Sequence, residues 1–132
     1  MIEFFVPMKP PTITAQQRAV KVVNGKPIFY EPAELAAARA KLRDYIGPWA
    51  PDKPYKSAVR LVTKWCFPTN GRYPSGTYKH TAPDTDNLQK MLKDVMEKLG
   101  FWKNDALVAS EITEKFWADP AGIYICIEEL RA

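Results

Sequence analysis

The sequence predicts a small α/β (α+β) domain in which a mixed β-sheet packs against two main helices. Three observations carry this. Asp86 to Leu99 repeats its apolar side chains at helical spacing, and Ser57 to Phe67 alternates them at strand spacing. The chain is 132 residues long and 46% apolar, enough for one core, and holds no linker that would divide residues 1–132 into two domains.

The elements follow in order. Ile2 to Val6 reads as a first strand, stopped by Pro7. Pro10-Pro11 opens a loop, because the residue before a proline avoids helical backbone angles. Ala19 to Val23 and Pro27 to Tyr30 flank Asn24-Gly25. That dipeptide tolerates positive φ at both positions and predicts a two-residue hairpin turn. Pro32 to Ile46 is a helix: proline suits the first turn, the run from Ala33 to Leu42 is rich in alanine and leucine, and Gly47-Pro48 ends it. After a proline-rich connection, Ser57 to Phe67 places Val59, Leu61, Thr63, Trp65 and Phe67 on one strand face, with Arg60 and Lys64 on the other. Pro68 to Pro83 reads as a loop.

Asp86 to Leu99 is the strongest helix. At about 100° per residue, Leu88, Met91, Leu92, Val95, Met96 and Leu99 fall within an arc of roughly 140°. Gly100 supplies the stop, and Trp65, Phe101 and Trp102 read as core. Leu107 to Trp117 and Ile123 to Glu129 read as two strands joined as a hairpin by Asp119-Pro120-Ala121-Gly122.

The net charge of +4 and pI of about 9.1 are compatible with a polyanion partner without requiring one. Two cysteines, Cys66 and Cys126, and a single histidine leave no zinc-ligand pattern, and two buried thiols in a reducing compartment are expected. The start of the chain shows no basic and then apolar leader, and no apolar run approaches a membrane span, so a cytoplasmic protein is expected. In the 68–83 loop, Arg72, Lys79 and His80 stand among tyrosines and glycines. Basic and aromatic groups on such a segment suit phosphate pairing and base stacking, as they equally suit an ordinary solvated loop. Lys64 and Lys103, on or next to elements leading into the acidic residues described next, are further candidate nucleic-acid contacts.

Asp84 and Asp86 open the second helix, where either could simply cap it. Lys90 could pair with Asp86 or Asp94 one helical turn away. On the wheel, however, Asp86 and Lys90 lie about 40° apart and opposite the apolar stripe, so they face outward together. Asp105 follows the helix, where Gly100 turns the chain back and can return it to the same cluster. Three gathered carboxylates repel one another. A hard divalent cation removes that cost, and magnesium takes oxygen ligands while keeping several waters. The calcium-loop pattern does not fit, since Leu88-Gln89 stands where a ligand and a glycine are needed.

The longer string is more specific than Asp-x-Asp. Asp84-Thr85-Asp86-Asn87-Leu88-Gln89-Lys90, followed by Leu99-Gly100-Phe101-Trp102-Lys103-Asn104-Asp105, resembles the RusA family of Holliday junction resolvases. The resemblance covers about 25 residues. It implies a RusA-like fold and a homodimer that binds four-way or other branched DNA and nicks two opposing strands. It further implies metal ligation by Asp84, Asp86 and Asp105, with Mg²⁺ as cofactor and Mn²⁺ able to substitute, and a catalytic role for Lys90. Arginines often precede the first aspartate in the family. Here Tyr78-Lys79-His80-Thr81-Ala82-Pro83 stands instead, so substrate contacts are expected to differ. The alternative is a branched-DNA-binding module without catalysis.

Overall fold

The computed structural model describes residues 1–13, 19–30 and 32–130. Strand β1 (Ile2–Val6) is followed by β2 (Ala19–Val23) and β3 (Lys26–Tyr30), then by helix α1 (Ala33–Ile46). Next come β4 (Val59–Pro68), the short β5 (Thr77–Tyr78), helix α2 (Thr85–Lys98), β6 (Val108–Ala118) and β7 (Gly122–Glu129). The five-stranded sheet runs β1-β7-β4-β6-β5, and β2-β3 stands apart as a two-stranded ribbon. This is the α+β domain with two helices that the sequence predicts. The ribbon turns at Asn24 and Gly25, both with positive φ (51° and 75°), as the Asn-Gly pair requires.

The long central strand β4 organises the sheet. It pairs in parallel with β6 over its whole length and antiparallel with β7 from Val59 to Cys66. Parallel strands need a crossover, and α2 is that crossover. The hairpin expected of Leu107–Trp117 and Ile123–Glu129 therefore does not form, because β4 lies between β6 and β7. The more deeply buried β4 takes the central place and pairs its N–H and C=O groups on both sides, which leaves the less buried β6 near the sheet edge. The expected loop between Pro68 and Pro83 also contains β5, which is too short for periodicity to reveal.

The core fills one side of the sheet. Val59, Leu61, Thr63, Trp65 and Phe67 are buried in strict alternation, as their spacing predicts. Against them pack Leu88, Met91, Leu92, Val95 and Met96 of α2 and Leu35, Leu42 and Ile46 of α1. Phe101 and Trp102 are buried with them. Both cysteines are free thiols; Cys126 is buried as expected, whereas Cys66 is only half-buried, and burial pushes its thiol pKa up. No helix among the described residues is long and apolar enough to cross a membrane.

Two close contacts add to the hydrophobic packing. Trp65 Nε1 donates to Thr63 Oγ1 (3.2 Å), whose hydroxyl donates to Gln89 Oε1 (2.9 Å), tying α2 to β4 through the core. Thr63→Val would leave the indole N–H and the amide oxygen buried without these partners, at about 2–4 kcal/mol. Urea unfolding is expected to show that loss, and a change below about 0.5 kcal/mol would remove the network from the stability account. At the β7 start, a Cβ on Gly122 would meet the Val6 carbonyl oxygen at 2.5 Å and the Phe5 ring at 2.3 Å. Backbone cannot yield as a side chain can, so Gly122→Ala is expected to lower stability by about 1–3 kcal/mol in the same measurement.

Candidate active site

The start of α2 carries three exposed charged side chains with no competing task. Asp84 occupies the N-cap position with extended backbone (φ −72°, ψ 145°), yet its side chain makes no capping bond. The capping explanation of this residue therefore fails. Asp86 stands in the first turn and Lys90 one turn on, both exposed. Neither enters an ion pair among the described residues. Asp94, the other carboxylate within a turn of Lys90, pairs instead with Arg39 (3.6 Å).

Asp105 is built by a different device. Gly100, at φ 90°, ends α2 and lets the Phe101 N–H bond the Met96 carbonyl (3.0 Å). Phe101 and Trp102 then drop into the core. The buried Trp102 indole donates from Nε1 to Asp105 Oδ1 (2.8 Å), and the Asp105 amide donates to Glu97 Oε1 (3.2 Å). Asn104 caps the short 3₁₀ turn Asp105–Leu107 by accepting from the Ala106 N–H (2.8 Å). Each residue of the Gly-Phe-Trp-Lys-Asn-Asp string except Lys103 thus has a part in fixing one carboxylate.

The two halves do not meet within the chain. β6 runs back along α2: Glu97 touches Asp105, Lys93 pairs with Glu111, and Lys115 reaches the carbonyl of Pro83. Asp105 accordingly lies beside the C-terminal half of the helix. From Asp86 to Glu97 an α-helix rises about 16 Å. The expectation that Gly100 returns Asp105 to the Asp84–Asp86 cluster is not met, and no three Asp, Glu, His or Cys side chains among the described residues are gathered closely enough to hold a metal. The donor chemistry itself fits: hard carboxylate oxygens, two of them exposed and uncommitted at one helix start, suit a hard divalent cation.

The loop before Asp84 differs from expectation at one residue. Lys79, expected as a solvated DNA contact, is only 8% exposed. Its ammonium sits 4.3 Å from the Trp117 ring centre and 5.2 Å from that of Phe67. It donates to Thr81 Oγ1 and to the Ala82 carbonyl (2.8 Å). Burial, and then the nearby Lys115 charge, hold its pKa below the usual lysine value. Tyr73 stacks on the same Trp117 (4.8 Å). Arg72, His80 and Lys103 are exposed, as is Lys64, whose ammonium lies 5.5 Å from the Tyr124 ring on the open side of the sheet. Sequence reasoning missed Lys115, Glu97 and the Trp102–Asp105 bond. For Trp102 the signal was present, as an indole three residues before a carboxylate in a turn.

A family comparison meets this geometry. The profile described as Endodeoxyribonuclease RusA matches residues 7–128, from just after β1 almost to the end of β7. By class, then, the chain is a nuclease, a hydrolase acting on DNA. It belongs to the RusA family. No curated protein matches it.

Proposed function

We propose that this chain is a magnesium-dependent resolvase that cuts four-way or similarly branched DNA by paired nicks, in the service of recombination and repair. The observation that carries the reading is the α2 start. Asp84, Asp86 and Lys90 are exposed and have no partner among the described residues, although capping and ion pairing were both within reach. Asp84, Asp86 and Asp105 would hold the Mg²⁺. When bound, the ion supplies a lowered pKa to a water and neutralises charge on the phosphate. Lys90 places a cation one turn from Asp86, where it can stabilise negative charge developing on the phosphate oxygens. Trp102 holds the Asp105 carboxylate in one orientation.

A homodimer reconciles the ligand set with the separation of Asp105. The outer edge of β6 from Val108 to Glu114 has no strand partner among the described residues, since β5 pairs only with Phe116 and Trp117 and the Lys79 N–H takes the Lys115 carbonyl. A two-fold axis at this edge would run β6 and α2 antiparallel to their copies. The Asp105 end of each chain would then approach the Asp84 end of the other, giving two equivalent sites for two symmetric cuts. Arg72, His80, Lys64 and Lys103 remain candidate phosphate contacts around them.

The test is a synthetic four-way junction incubated with the protein in Mg²⁺, in Mn²⁺ and in EDTA, beside a linear duplex of the same sequence. Symmetric nicks in either metal, none in EDTA and an uncut linear duplex are expected. A junction bound but left intact in both metals would instead establish the non-catalytic binding module.

A further inference from the structure

Two lysines outside the proposed ligand set converge on the three residues that lead into Asp84. Lys115 projects from β6 and donates from Nζ to the carbonyls of Thr81 (2.7 Å) and Pro83 (2.8 Å). Lys79 donates to the Ala82 carbonyl (2.8 Å) and to the Thr81 hydroxyl. Three successive peptide carbonyls therefore accept from ammonium groups, and the next residue is Asp84. The Lys79 backbone N–H also bonds the Lys115 carbonyl (3.0 Å), so both lysines belong to one β6-anchored unit. Each like charge is costly beside the other, and charge-assisted bonds to carbonyls together with the Trp117 and Phe67 rings offset that cost. Water could satisfy the exposed Thr81 carbonyl, but the bonds to the Ala82 and Pro83 carbonyls are part-buried, and a loop that only had to connect β5 to α2 has no need to bring two cations to them.

We infer that Lys79 and Lys115 are positioning residues, a clamp that presets the backbone before α2 so that the Asp84 carboxylate is delivered in one place. Both ammonium groups are bonded to the loop itself. Both act through the loop, by sparing the metal site the entropy of ordering residues 81–84 when the ion binds. The inference rests on the reading of Asp84 as a metal ligand.

The test is Mn²⁺ binding to the intact protein, followed by electron paramagnetic resonance, for the wild type, Lys115→Met, Lys115→Arg, Lys79→Met and Asp84→Asn, with thermal melting alongside. Lys115→Met is expected to weaken Mn²⁺ about tenfold while melting as a cooperative fold, and Lys115→Arg, which keeps a donor to carbonyls, to recover most of that affinity. Lys79→Met removes the other half of the clamp and is expected to weaken Mn²⁺ likewise, so it gives an independent reading if Lys115→Met does not fold. Wild-type Mn²⁺ affinity in the folded lysine variants, with binding lost in Asp84→Asn, overturns the clamp and leaves Asp84 as a ligand. Wild-type affinity in Asp84→Asn overturns the ligand reading itself and the clamp with it.

Discussion

Asp86→Asn is expected to reduce junction cleavage by about 10³-fold while junction binding is retained or tightened. The scale is that of a single preorganised electrostatic group acting on a transition state. The side chain is exposed and the amide is nearly isosteric with the carboxylate, so the fold has no reason to suffer. What changes is one negative charge. Its loss removes a ligand oxygen of full charge from the proposed metal site, and it also lessens repulsion of the DNA phosphate. Cleavage under saturating Mg²⁺ and junction binding in EDTA, measured on the same preparation, separate these effects. Undiminished cleavage would take Asp86 out of the metal site.

Lys90→Ala is expected to lower the cleavage rate at saturating junction by about 10²-fold, with binding changed little. Among the described residues Lys90 makes no ion pair that would give it a structural duty. A cation that acts only on charge developing at the cut phosphate affects the rate, whereas a cation that merely holds ground-state DNA affects binding. Lys90→Arg keeps the charge and is expected to recover part of the rate. If saturating DNA restores Lys90→Ala to the wild-type rate, Lys90 is a phosphate contact and not a catalytic residue.

What was legible in the sequence is what depends on local pattern. The apolar arc of α2, the alternation of β4 and the Asn24-Gly25 turn are written within a few residues each, and the structure reproduces them within a residue or two at their ends. The exposure of Asp86 and Lys90 followed from the same helical wheel. What was not legible depends on partners far along the chain. The turn at Asp119–Gly122 looks like a hairpin until β4 takes the place between its arms. Gln89 sits next to the apolar stripe, but its burial depends on Thr63, 26 positions away. Lys79 reads as a solvated loop cation, and only Phe67 and Trp117 together make its cradle. Asp105 shows the limit most clearly. The sequence gives the turn that holds it, through Gly100 and Asn104, but the direction in which β6 then runs sets its distance from Asp86.

That distance makes subunit mixing the most direct test of the central claim, that Asp84, Asp86 and Asp105 form one metal site completed across two chains. One subunit would carry Asp84→Asn with Asp86→Asn, the other Asp105→Asn, and each homodimer alone is expected to be inactive. In the heterodimer one site regains all three carboxylates and the other loses them all. Purified heterodimer is therefore expected to nick one strand of a four-way junction in Mg²⁺ at a rate approaching that of a single wild-type site. A verified heterodimer as inactive as its parents would contradict the shared site.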